Sequence, residues 1–333
     1  MNSDKIKYSF ILIPLLILTG CFPEDDPVVP LDIEIVEIPY SMYDTQTWFN
    51  LEKMSVISHN AFTDWDLGFE SNGTGHHIIL NTSRFMYAGN TESTDFNGIT
   101  SNICDTMIYD DSGGDLTKTA IGNWADFTDP GNPVYPKKVY IIDLGSDNNG
   151  TPYGFKKITF DGFENDRYSI RFSNLDGSDP HTFQISTDPD RRFTLFSFSN
   201  GGSITPVQPV NGEWDLCFTQ YSTILFDDNN IATPYLVRGV YINMIGTSAA
   251  RDTINSFDDI TAGDISDYTF SSAQDIIGYD WKDFENDSYK INPNIFYIIK
   301  DQRGVYYKLK FAGFYNNSGQ RGYPSFQCIK LSG

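Results

Sequence analysis

The sequence lacks the motifs by which most enzyme classes are recognised. Its 333 residues contain no Gly-x-Ser-x-Gly elbow, no His-Glu-x-x-His pair, no phosphate-binding glycine loop and no dinucleotide-binding Gly-x-Gly-x-x-Gly after a strand. Acidic residues are numerous, but the sequence singles out no pair of carboxylates for glycoside hydrolysis. We therefore predict no catalytic residues and a protein that is not an enzyme.

Cysteine and positive charge are also scarce. Cys104, Cys217 and Cys328 stand outside any Cys-x-x-Cys spacing, so no zinc or redox site is predicted, and at most one disulfide can join them. We interpret them as buried free thiols. Only 23 Lys and Arg residues face 44 Asp and Glu, which gives a net charge of −21 without any basic cluster. Such a surface argues against nucleic acid and anionic lipid as partners.

No apolar run is long enough to remain in a membrane as a helix. The run at 8–18 covers about eleven residues, whereas a span needs about twenty. Lys5 and Lys7 precede it and Leu-Thr-Gly-Cys21 ends it, a pattern typical of a lipoprotein signal peptide whose cysteine receives the lipid. We predict a signal peptide at 1–20 and lipidation of Cys21.

The residues after this cysteine predict a tether rather than a folded segment. Within 21–39, Glu24, Asp25 and Asp26 lie between two prolines, and this acidic stretch has no apolar periodicity. An acidic stretch directly after the lipidated cysteine also resembles the surface-export signal of Bacteroidetes lipoproteins. We expect an outer-membrane lipid anchor that presents the protein on the cell surface, with a periplasm-facing anchor as the alternative.

Five short blocks recur in the same order in the two halves of the remaining chain. Each is rich in Val, Ile, Tyr and Phe, is bounded by Gly, Asn, Asp or Pro, and reads as a β-strand. The matched blocks are 64–69 with 213–218, 78–81 with 240–243, 124–127 with 281–284, 139–142 with 296–299, and 157–163 with 308–314.

The repeat predicts an all-β, antiparallel fold built twice. A turn-forming break at 187–190 separates the copies, so we place domain 1 at 40–186 and domain 2 at 187–333. The tryptophans of the blocks are large enough to anchor a core, and we expect them to be buried. These tryptophans are Trp65, Trp124, Trp214 and Trp281.

Candidate metal and haem ligands are few. His76 and His77 are neighbours, and neighbouring strand residues point to opposite faces, so they cannot bind one ion from the same side; we interpret them as loop histidines. Met86, Met107 and Met244 carry thioethers that can ligate a haem iron, with packing in the core as the alternative.

The blocks, taken in order, resemble the HmuY family of haem-binding lipoproteins of the Bacteroidetes. The second copy matches best, at 214–221, 234–243 and 296–314. The resemblance implies two tandem HmuY-like β domains, haem held between protruding strand-rich lobes, and His or Met as axial ligands. The places of one family ligand fall near Asp129 and Asn286, neither of which is a good haem ligand.

The resulting hypothesis is a lipid-anchored surface protein that captures haem for iron acquisition. Its partners would be haem or haemoproteins, and a TonB-dependent receptor is a further candidate. The alternative is a surface lipoprotein that binds a glycan or protein on the same scaffold without iron ligands. The candidate axial ligands are Met107, Met244, His76, His77 and Met86.

Overall fold

Regular structure in this protein is almost entirely antiparallel β-sheet, which confirms the predicted all-β class. The computed structural model describes residues 34–71, 73, 75–227 and 229–332. The predicted signal peptide, Cys21 and most of the tether lie outside the described residues. Within the described chain, no helix is long and apolar enough to cross a membrane.

The described residues form twenty strands, and nine of the ten repeated segments supply part of one. The predicted strand at 124–127 is wrong, because that segment forms only an isolated bridge through Asp126. The first ten strands are β1 Ile35–Glu37, β2 Thr45–Asn50, β3 Ser55–Ala61, β4 Leu67–Glu70, β5 Ile78–Leu80, β6 Tyr87–Asn90, β7 Val139–Asp143, β8 Phe155–Glu164, β9 Arg167–Asn174 and β10 His181–Ser186. The others are β11 Phe193–Ser197, β12 Ser203–Ile204, β13 Leu216–Phe226, β14 Ala232–Ile242, β15 Ser248–Asp252, β16 Lys282–Glu285, β17 Ser288–Ile291, β18 Phe296–Lys300, β19 Tyr306–Tyr315 and β20 Arg321–Ser332. Five short 3-10 helices lie at Thr82–Arg84, Leu116–Lys118, Ser199–Gly201, Asn211–Glu213 and Ala262–Asp267.

The larger sheets form two matching pairs. We call the half with the five-stranded sheet β10-β9-β8-β7-β6 the N-terminal half. The half with the five-stranded sheet β1-β20-β19-β18-β15 is the C-terminal half. The four-stranded sheets match in the same way, β12-β11-β4-β5 in one half and β3-β2-β13-β14 in the other. The strands β16 and β17 form a separate hairpin. The two halves therefore share one topology.

The strand that precedes the Trp-Asp block in each sequence repeat, β2 or β11, pairs with a strand of the other repeat. β2 pairs with β13, with Phe49 opposite Leu216, whereas β11 pairs with β4, with Phe196 opposite Leu67. The apolar side chains of 38–51 accordingly pack in the core of the C-terminal half. The sheets are completed across the predicted boundary at 187, and Glu34–Gly333 form one compact unit. The ranges 40–186 and 187–333 describe the sequence repeats, and as domain bounds they stay a prediction.

The repeated Trp-Asp and Asn positions hold these exchanged strands in place. Asp66 Oδ2 accepts a hydrogen bond from the Phe198 backbone N–H at 2.7 Å, and Asp215 Oδ2 accepts one from Leu51 at 2.8 Å. In each half the asparagine that ends the next strand donates from Nδ2 to the carbonyl of the block's tryptophan, at 2.8 and 3.0 Å. All four block tryptophans are buried, as predicted.

Each half contains a buried lysine that contacts a sixth repeated segment, which the sequence analysis did not identify. Lys157 Nζ donates to the Ile99 carbonyl at 2.6 Å and lies over the ring of Phe96. Its counterpart Lys308 donates to the Ile260 carbonyl at 2.9 Å and lies over the matching ring, Phe257. The segments 95–100 and 256–261 share the pattern Phe-x-x-Ile-Thr. Their common role explains the pattern: each covers the lysine stem and satisfies its ammonium group.

The three remaining cysteines are free thiols. Cys217 is buried, while Cys104 and Cys328 are only partly covered, so full burial holds for one of the three. Burial raises the pKa of Cys217, which keeps its thiol protonated.

Candidate functional site

A cleft lies between the two halves, and equivalent positions of both repeats form its walls. Trp65 faces it from one half and Trp214 from the other, and Thr82 and Met244 occupy a second equivalent pair. The enclosed part of the cleft has a volume of about 110 Å³, and the space out to its open mouth is about 920 Å³. The strand exchange helps to form this cleft, because the exchanged strands β2 and β11 both supply lining residues, among them Trp48 and Leu195.

The two walls differ in chemistry although they share a fold. The wall from the N-terminal half carries the carboxyl groups of Asp110, Asp111 and Asp115. The wall from the C-terminal half carries the thioether of Met244 and the amide of Gln274. The repeat has therefore diverged into an acidic side and a neutral side of one cleft.

The aromatic side chains of the cleft are fixed by mutual contacts. Trp48 meets Trp214 edge to face at 4.7 Å between ring centroids. Trp65 Nε1 donates to Gln46 Oε1 at 2.7 Å, whereas Nε1 of Trp214 is a buried donor without a hydrogen-bond partner. A buried N–H without an acceptor is rare. These rings belong to the buried core and also line the cleft, where the unsatisfied Trp214 N–H is a donor that a ligand could use.

Loops of the two halves meet at the cleft. Gln274 N–H donates to the Gly113 carbonyl at 2.8 Å, and Ser112 Oγ donates to Asp275 Oδ2 at 2.7 Å. A Cβ at Gly114 would stand 2.5 Å from Met244 Sδ, so a glycine there is what allows the thioether its position. Gly114 also has a φ of +78°, which favours glycine.

Arg192 brings the one guanidinium to the cleft among the described residues that line it. Burial lowers its pKa, and the nearby Glu70 carboxyl acts in the opposite direction. Glu70 Oε2 also lies 2.7 Å from His77 Nδ1. In a neutral imidazole, donation from Nδ1 to a carboxylate leaves the lone pair on Nε2, the arrangement found behind metal-binding histidines.

The structure does not bring the five candidate ligands together. Met244 lines the cleft, and His77 lies on the same strand face as the cleft residue Ile79. Met86 is fully buried in the core of the N-terminal half. Met107 packs against Cys104 on the other side of that half's sheet.

His76 sits in an aromatic nest rather than in an open loop. Its ring centroid lies 4.2 Å from that of Phe127 and 4.3 Å from that of Phe163. Its carbonyl accepts from Trp124 Nε1 at 2.7 Å, and its φ of +50° is strained for a residue with a Cβ. Burial lowers the pKa of His76. Packing thus favours the neutral form of this histidine.

Asp110 should make stability depend on pH. Its carboxyl accepts from the backbone N–H groups of Leu80 and Ala120, both at 2.7 Å, and burial raises its pKa from 3.8 to about 7. Between those values the folded chain holds a proton that the unfolded chain has released. Stability therefore falls as pH rises, by at most about 1.4 kcal/mol per pH unit from this group.

Urea unfolding at several pH values from 4.5 to 7 measures this dependence, and we expect Asp110→Asn to flatten the curve relative to the wild type. Other carboxyls contribute equally to both proteins, so the difference between the curves isolates Asp110. Parallel curves would contradict the prediction.

The fold and the cleft define an all-β binding protein, and the comparison with family models assigns it: the family model described as HmuY protein matches residues 42–328. The chain belongs to the HmuY family, which places it among haem-binding-type surface proteins at family level. That single match spans both halves, and the predicted two tandem copies are not confirmed. No curated protein matches the chain.

Solved structures with related names are distant. Apo PinO from Porphyromonas gingivitis is 10% identical over 90% of this chain and 97% of its own, with a TM-score of 0.29. The apo HmuY analog of Tannerella forsythia is 12% identical over 91% and 100%, with a TM-score of 0.22. A protein described as HmuY-like and heme-binding from Bacteroides vulgatus is 16% identical over 40% and 80%, with a TM-score of 0.24. The assignment therefore rests on the family model.

Proposed function

We propose that this protein is a lipid-anchored surface protein that binds haem in the cleft between its halves for iron acquisition. Family membership and the aromatic cleft with its thioether support this proposal. The anchor would be Cys21, and a TonB-dependent receptor would take the haem onward.

The side chains of the cleft fit a haem group. Met244 Sδ is a soft donor of the type that ligates haem iron, and Trp48, Trp65 and Trp214 offer apolar ring surface. The guanidinium of Arg192 would pair with a propionate. When bound, haem would supply an iron atom, and the thioether of Met244 would be the side chain that holds it.

A haem titration followed at the Soret band tests the proposal. Wild-type protein should give a saturable, red-shifted band at micromolar haem, and Met244→Leu should weaken binding about tenfold or more, since loss of an axial bond removes a strong directional contact. Met107→Leu is the matched control, because Met107 lies outside the cleft. An unchanged haem spectrum with the wild type would reject haem binding. Equal haem binding by the wild type and Met244→Leu would reject only the role of Met244 as the side chain that binds iron.

A glycan is the second candidate ligand. The carboxylate and amide groups of the cleft can form hydrogen bonds with sugar hydroxyls, and sugars can stack on the neighbouring tryptophan rings. These groups belong to Asp111, Asp115, Gln208 and Gln274. The cleft sets two partly exposed carboxylates, Asp111 and the Lys118-paired Asp115, against one guanidinium, which suits a neutral ligand better than an anionic one. Quenching of tryptophan fluorescence by neutral oligosaccharides, in the absence of a haem response, would favour this alternative.

A further inference from the structure

Two arginines and three tyrosines gather at the base of the long β13–β14 hairpin. The guanidinium carbon of Arg238 lies 4.3 Å from the ring centroid of Tyr43, and that of Arg321 lies 5.2 Å from the same centroid. Tyr289 lies close enough to act on the hydroxyl of Tyr43, and Tyr235 lies close enough to act on the charge of Arg238. We name these five residues the arginine–tyrosine cluster.

The cluster is separate from the cleft. Arg238 and Tyr241 lie three positions apart in β14, so their side chains leave opposite faces of the strand. Tyr241 contributes to the cleft, whereas Arg238 does not. A ligand in one place therefore need not occupy the other.

No carboxylate neutralises the cluster within the described part of the chain. Neither Arg238 nor Arg321 takes part in an ion pair there, and the groups that act most on the Arg238 charge are Tyr43, Tyr289, Tyr235 and Arg321. Arg238 donates from Nη1 to the Leu236 carbonyl at 3.0 Å, but its buried Nε has no acceptor. This is unexpected in a chain with 44 acidic and 23 basic residues.

A third basic side chain, Lys282, lies beside the cluster. Lys282 Nζ donates to the carbonyls of Arg238 and Tyr279, at 2.5 and 3.1 Å. Burial, and then the charge of Arg238, lower the pKa of Lys282 to about 7. The nearby Asp280 is paired with Arg251 at 2.7 Å. Like charges held together without a counter-ion repel one another, and an anion would relieve that repulsion.

The fold does not require a cation at this position. By strand register, the residue equivalent to Arg238 in the N-terminal half is His76, because β5 and β14 align at Leu80 and Ile242. His76 packs between two phenylalanines instead. The guanidinium group of Arg238 is therefore a property of the C-terminal half alone, whereas the position equivalent to Arg321 holds Arg167 in the N-terminal half.

We propose that the arginine–tyrosine cluster binds an oxyanion, a phosphate, sulfate or carboxylate group carried by a larger ligand. Guanidinium groups grip such groups with paired N–H bonds, and phenol hydroxyls add single donors. Burial raises the pKa of Tyr43, which keeps its phenol protonated. The guanidinium groups are donors alone and each protonated phenol adds one donor, which is what an oxyanion needs.

Arginine side-chain NMR tests this site directly on the mature chain. Sodium phosphate, sulfate and acetate are each titrated against chloride at constant ionic strength, and the Nε–Hε cross-peaks are followed. We expect saturable shifts of two arginine peaks, assigned by Arg238→Gln and Arg321→Gln, and an affinity about tenfold lower in each variant, because a charged hydrogen-bond partner is lost. Preference for phosphate and sulfate indicates a tetrahedral group, and preference for acetate indicates a carboxylate.

The matched control is Arg251→Gln, which removes the same charge from a guanidinium already paired with Asp280. It should leave the affinity unchanged. Arg321 is exposed, so its variant should fold even if that of Arg238 does not. Linear shifts without saturation, or equal affinities in the wild type and Arg321→Gln, would overturn the proposal.

Discussion

Phe49→Ala is expected to loosen the C-terminal half of the protein, although Phe49 belongs to the N-terminal sequence repeat. The side chain is 1% exposed, and its ring packs against Phe218 and Phe326 at centroid distances of 6.1 and 5.5 Å. Removing a buried phenylalanine costs about 3–5 kcal/mol through lost burial and the cavity left behind. The loss should fall on strands β13 to β20, which surround it.

Hydrogen exchange in low urea locates that loss. We expect Phe49→Ala to speed amide exchange in β13, β19 and β20 more than in β4, β8 and β9. The matched variant Phe196→Ala removes the equivalent ring, which is fully buried among Phe69 and Phe172, and it should give the opposite pattern. If each variant instead loosened its own sequence repeat, the strand exchange would be wrong.

The strands themselves were predictable because local patterns determine them. The blocks at 139–142 and 296–299 are apolar, β-branched and bounded by turn residues, and both became central strands. The exchange was not predictable, because β2 and β11 have similar sequences and either half could accept either strand. Only long-range packing decides between two equally suitable partners.

The candidate site was predictable only in part. Met244 was identified from its thioether, but the cleft that gives it a role depends on two distant segments meeting. The block tryptophans were expected in the core, and they are buried, yet Trp65 and Trp214 also line the cleft. The Glu70–His77 pair left a usable signal, because a hairpin between 67–70 and 78–80 places those two residues opposite each other.

The arginine–tyrosine cluster had no sequence signal, and the matching positions of Lys157 and Lys308 in the repeat did not reveal that both are buried. Lys157 and Lys308 stand in strands that read as half-exposed, since lysine is seldom buried without a partner. Their partners are backbone carbonyls from segments about 50 residues away in the chain. Tertiary contacts of this kind cannot be read from periodicity.

Asp66→Ala should destabilise the protein by about 3–5 kcal/mol, because it breaks a buried ion pair and leaves a buried cation without a partner. Asp66 pairs with Arg84, whose side chain is 7% exposed, and also accepts from Ser197 Oγ at 3.2 Å and Phe198 N–H at 2.7 Å. The variant therefore loses the ion pair and the attachment of β11 at once.

The equivalent variant in the other half should lose less. Asp215→Ala frees the Leu51 N–H, a loss of about 1–3 kcal/mol for a buried donor without an acceptor. Its cation, Arg303, is 34% exposed and keeps its contacts with Asp301 and Glu52. No buried charge is left alone.

Urea unfolding at pH 7 compares the two losses. Asp66→Asn, which retains an acceptor for β11 but removes the negative charge, should fall between the wild type and Asp66→Ala. Because the Trp-Asp block is repeated, any difference between the halves must come from the surroundings of the aspartate. Equal losses in the Asp66 and Asp215 alanine variants would show that strand attachment, and not the burial of Arg84, accounts for the stability that this motif provides.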